Sequence, residues 1–156
     1  MQVDSIQRNL EDQLGFYQNL LELAEKKGEL LLGPGGPQEA VRLRDMVRQE
    51  TLLIADLEEL ERARRNLCRG VDVDQIEAVA QEKGIEFTKV RKELKSVALK
   101  LKDRNQKNQS VLQFSVKLVN RMIQVVRDLS AQDEVTYSRI RRKPGLGQRP
   151  GLNFSA

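Results

Sequence analysis

The chain has 156 residues, 39% apolar and 32% charged, with a formal net charge of +4. That is enough for one helix-rich domain, but lean for a globular core. Histidine is absent and cysteine occurs once, which removes the commonest general base, the Ser-His and Cys-His pairs, and the usual zinc and redox-dithiol ligand sets.

The first predicted helix covers about residues 4–32. Val3, Ile6, Leu10, Leu14, Tyr17, Leu21 and Ala24 recur at helical spacing on one face, and Phe16, Leu20 and Leu23 widen it toward a second neighbour. Gly33-Pro34-Gly35-Gly36-Pro37 is the clearest breaker in the chain, and Pro37 suits the first turn of a second helix, 37–69. Its expected inward face is Leu43, Met46, Val47, Leu53, Ile54, Leu57, Leu60 and Leu67. A short loop between two long amphipathic helices implies an antiparallel hairpin.

Gly70 ends that helix. Asp72 or Asp74 can cap a short connecting helix, 73–83, with Gln75 at capping-box spacing from Asp72; its apolar face is Ile76, Val79 and Ala80, and Gly84 stops it. The fourth helix is expected over 86–132. Phe87, Val90, Leu94, Val97 and Leu101 step by three and four, and after Arg104 and Asn108 the phase resumes with Val111, Ser115, Leu118, Met122, Val126 and Leu129. At a rise of about 1.5 Å per residue this stripe is roughly 65 Å long, which predicts an elongated rod. A second stripe, Leu112, Val116, Val119, Ile123 and Val126, lies beside the first, so the C-terminal half is expected to be buried between two helices. The polar interruption at Arg104, Asn105 and Asn108 reads as a register lock or a wet gap, or else as a partner-recognition patch.

From residue 134 on, Arg139, Arg141, Arg142, Lys143 and Arg149 face one carboxylate, Glu134, so the whole net charge sits in residues 134–156. This Gly/Pro/Arg-rich stretch, with Ile140, Leu146, Leu152 and Phe154 dispersed along it, cannot bury enough surface to fold alone and is expected to be a flexible basic tail over 133–156. Three roles suit it: a solubilising end, a segment that orders on a partner, or a tether to an anionic surface. The fold class is therefore all-α: an elongated antiparallel three-helix bundle over 1–132 with a short connecting helix. No GxGxxG follows a strand, no GxxxxGK[ST] occurs, and Glu58, Glu59 and Glu61 sit on a charged helical face. Neither an enzyme nor a cofactor is expected. No apolar run reaches the length of a membrane span, and Met1-Gln2-Val3-Asp4 does not open a signal peptide. With its lone Cys68, a cytoplasmic protein is expected.

Several strings, taken in order, resemble the FlgN-like flagellar export chaperones. They are Leu20-Leu21-Glu22-Leu23-Ala24-Glu25-Lys26-Lys27; Glu50 with Leu52-Leu53, then Leu60-Glu61 and Arg64; Asn105-x-x-Asn108-x-x-x-Leu112; and Tyr137 opening a Gly-containing tail that ends in alanine. The likeness spans nearly the whole chain, although the tail is more basic than such a family would suggest. It implies a chaperone that holds the amphipathic termini of hook–filament junction (hook-associated) proteins and brings them to the flagellar type III export apparatus. The partner-binding candidates are Val119, Ile123, Val126, Tyr137, Ile140, Leu146, Leu152 and Phe154, since a doubled stripe next to unfolded anchors can receive a client helix. A self-associating coiled-coil scaffold and a tail-mediated tether are the rival classes. The balanced charge of residues 1–133 disfavours nucleic acid as a partner.

Overall fold

The computed structural model describes residues 2–141, with side chains through residue 132. Four α-helices, and no strands among the described residues, make up the chain: α1 (Val3–Leu32), α2 (Pro37–Leu67), α3 (Val73–Glu82) and α4 (Phe87–Arg141). The chain is all-α, as the apolar periodicity predicts. Helix α4 continues to Arg141, past residue 132, where the fourth helix is expected to end. The chain divides into two units, Met1–Leu112 and Gln113–Ala156.

In the first unit, α1 and α2 are antiparallel. Lys27 meets Glu50 at 2.5 Å, the Tyr17 hydroxyl donates to Glu61 Oε1 at 3.3 Å, and Asn9 Nδ2 donates to the Leu60 carbonyl at 3.0 Å. Burial, then the charge of Glu61 and its acceptance of the phenol proton, pushes the Tyr17 pKa above its ordinary 10.0. By contrast α1 and α4 run parallel. Val3, Ile6 and Leu10 share a cluster with Phe87 and Val90, while Asn108 Nδ2, farther along α4, donates to the Ala24 carbonyl at 2.8 Å. Up, down and up again gives the three-helix bundle.

The core is concentrated where the chain turns from α2 through α3 into α4. Val3, Ile6, Leu10, Ile76, Ala80, Phe87 and Val90 are buried together, with Leu67, Cys68, Val71 and Ile85 packed against them. Helix α3 is thus more than a connector, because Ile76 is only 2% exposed and Ala80 1%. Its ends are fixed by local chemistry. The Asp72 carboxylate accepts from the Val73 backbone at 2.7 Å, Gln75 accepts from the Asp72 backbone at 3.3 Å, and the capping box is complete. At the other end Ile85 N donates to Ala80 O and Gly84 N to Gln81 O, the paired bonds of a Schellman motif, with Gly84 at φ +70°. Ile85 then falls onto the core.

One expectation fails in this unit. Val47 and Ile54 are exposed, and Leu57 is the one buried residue of α2. Conversely Asn9 and Gln13 are buried on α1, with Gln13 Nε2 donating to Asn9 Oδ1 at 2.6 Å. The polar interruption of α4 also resolves: Asn105 is exposed, Arg104 half-buried and Asn108 buried. Asn108 sits on Gly28, where an added Cβ would lie 2.8 Å from its Oδ1.

Gly28→Ala is therefore expected to destabilise the bundle by about 1 kcal/mol, although alanine is the better helix former by roughly that amount. In an Asn108→Ala background the same substitution should become neutral or stabilising; a double-mutant cycle in urea checks this, and additive effects would remove the contact from the account. Asp72→Ala should lower stability by about 1 kcal/mol in the same assay through loss of the cap.

Candidate partner-binding face

The apolar stripe of α4 changes character along its length. Phe87 and Val90 are buried, Leu94, Val97, Leu101 and Val111 are half-buried, and Leu118, Met122, Val126 and Leu129 are exposed. The second stripe is exposed as well, from Leu112 and Val116 through Val119 (52%), Ile123 (44%) and Val126 (61%). The expectation that this half is buried between two helices is thus corrected. The reason lies in the helix lengths: α1 and α2 have 30 and 31 residues and α4 has 55, so neither neighbour can clothe all of α4.

Within residues 113–132 the exposed large apolar side chains are Phe114, Val116, Leu118, Val119, Met122, Ile123, Val125, Val126 and Leu129. At about 3.6 residues per turn these positions fan over roughly 200° of the helix circumference. The remaining arc carries Lys117, Asn120, Arg121, Gln124, Arg127 and Asp128. Gln124 Nε2 donates to Asp128 Oδ1 at 3.0 Å along it. Phe114 and Leu118 also line a shallow groove with Lys117 and Arg121, where the apolar face meets its cationic border. This is the sequence signature of a helix that packs on neighbours, displayed without them. A contiguous apolar surface of this kind marks an interaction site.

Of the sequence-derived candidates, Val119, Ile123 and Val126 lie together on this face, one helical turn apart in succession. Tyr137 and Ile140 fall on the α4 backbone, and their side chains lie outside the described residues. Leu146, Leu152 and Phe154, with the rest of 142–156, lie outside the described residues altogether. Sequence reasoning passed over Phe114 and Val125, which lie together at one edge of the arc beside the first stripe; extending the helical projection beyond the heptad positions would have found them.

The described residues hold no cluster of His, Cys, Asp and Glu able to bind a metal, and no helix among them is long and apolar enough to cross a membrane. Comparison with curated proteins and with solved structures gives no match. The family model described as FlgN protein matches residues 1–143, nearly the whole of the chain, and the chain therefore belongs to the FlgN family of flagellar export chaperones.

Proposed function

We propose that this member of the family is a cytoplasmic chaperone for flagellar hook-associated proteins, holding their amphipathic termini and handing them to the type III export apparatus. The observation that supports this reading is the uncovered apolar arc of α4. A client terminus that would self-associate through its own apolar stripe can lay that stripe on this arc as an additional helix. Each fully buried valine, isoleucine or leucine contributes about 1.5–3 kcal/mol, so a handful of such contacts supports binding without chemistry. The client leaves when the export machinery competes for the same stripe, and neither nucleotide nor metal takes part.

Val119, Ile123 and Val126 are assigned to the centre of the client contact. Tyr137 and Ile140 continue it along α4, and Leu146, Leu152 and Phe154 are assigned as supplementary anchors. Position 137 is eighteen residues beyond Val119, about five helical turns of 3.6, which returns it to the same line along the helix. The basic residues from Arg139 to Arg149 add charge next to these anchors, which suits clients with acidic side chains on their polar face.

The substitution pair V119D/I123D is expected to weaken binding of a hook-associated protein's terminal helix by about hundredfold or more, since two apolar contacts and the desolvation of two carboxylates are involved. Both side chains are exposed, so circular dichroism and the thermal transition of the bundle should be preserved. Undiminished affinity in calorimetry would exclude this face. Deleting residues 134–156 should also weaken client binding while leaving the bundle's transition intact, and unchanged affinity would take the tail out of the mechanism. Sedimentation of the unliganded protein at several concentrations separates a chaperone from a scaffold: a chaperone's face stays open, whereas a scaffold's closes in defined oligomers.

A further inference from the structure

A cleft of about 610 Å³ opens within the first unit, lined by residues from all four helices, well apart in sequence from the apolar arc of α4. Its polar lining is unbalanced. Two carboxylates reach it, and both are engaged: Glu61 accepts the Tyr17 hydroxyl, and Glu77 pairs with Arg91, whose guanidinium also lies 5.6 Å over the Phe87 ring. Three further cations line the cleft, Arg64 from α2 and Lys92 and Lys95 from α4, and none has an ion-pair partner among the described residues.

Arg64 is the informative member. Its Nε is shut off from solvent and has no hydrogen-bond partner. A buried guanidinium nitrogen without a partner costs free energy, and the half-buried fork of donors it belongs to matches a carboxylate or phosphate. Lys92 and Lys95, three residues apart, are neighbours on the α4 surface, where like charges repel and stay available. Leu10 and Leu94 add apolar lining, which lowers the local dielectric and strengthens attraction for an anion.

We propose that this cleft is an oxyanion-binding site, with Arg64, Lys92 and Lys95 as its ligands. The anion is the carboxylates of an acidic peptide segment or free phosphate, which share this chemistry. The site is independent of the α4 client face, and its loss would leave the chaperone reading intact.

The test titrates isotope-labelled full-length protein with acetylated hexaglutamate amide and, separately, with inorganic phosphate, following backbone amide shifts. Saturable shifts are expected at the amides around Arg64 and from Lys92 to Lys95. Binding should be at least tenfold weaker in K92E/K95E, two exposed positions whose reversal should preserve helicity, and should weaken with added salt. A response to hexaglutamate alone identifies a peptide carboxylate site, and a response to phosphate identifies a small-anion site. The proposal is overturned by no saturable shift at these amides with either probe at millimolar concentration. Shifts confined to the Arg-rich residues 139–149, or equal binding by K92E/K95E, overturn it as well.

Discussion

The protein depends on a mismatch of lengths. A 55-residue amphipathic helix shares a chain with partners of 30 and 31 residues. Hydrophobic burial is proportional to area removed from water, and two helices of that size cannot cover all of α4. What remains is an apolar arc held on a regular helix, where each side chain has a fixed place and direction. These side chains are exposed on α4.

A bundle that leaves so much apolar surface uncovered needs another source of definition, and the first unit supplies it with polar groups. Asn9, Gln13 and Asn108 are buried, and Asn9 and Asn108 each donate to a carbonyl of a neighbouring helix. Such contacts add little net stability when made, but become costly if the helices slip and leave them unpaired. Gly28 shows how closely the register is held, because only a residue without Cβ leaves room for the Asn108 amide. At the turning end, α3 adds Ile76 and Ala80 to the densest part of the core, fixed by a capping box on one side and a Schellman motif on the other. The first unit is defined by specific contacts, whereas the face on α4 offers generic apolar ones.

Much of this was legible in the sequence. Pro37 after the glycine-rich breaker, Asp72 with Gln75, and Gly84 act through neighbours three to five residues away, so their effect can be read without knowing the fold. The amphipathic periodicity of α1 and α4 likewise follows from spacing alone, and with the ordered strings from Leu20 to Tyr137 it carried the family resemblance. Less legible was which apolar residues end up covered. Val47, Ile54 and the stripe from Leu112 to Val126 have the same spacing as the buried Leu57 and Val90, because periodicity marks a face without supplying something to bury it against. Asn9 and Gln13 show the converse: asparagine and glutamine are mostly exposed in proteins, and only the approach of α2 to α1 provides the Leu60 carbonyl that makes the burial of Asn9 tolerable. The cation imbalance around Arg64 was invisible for the same reason, since its members lie on α2 and α4 and become neighbours only when those helices pack.

By itself, then, the sequence determined the helices, their stops and the all-α class, because those depend on backbone preferences and short-range spacing. Tertiary structure alone decided that Asn108 is a buried lock on Gly28 and that Val119, Ile123 and Val126 face water. Burial is a property of pairs of surfaces, and the second surface of each buried pair lies far away along the chain.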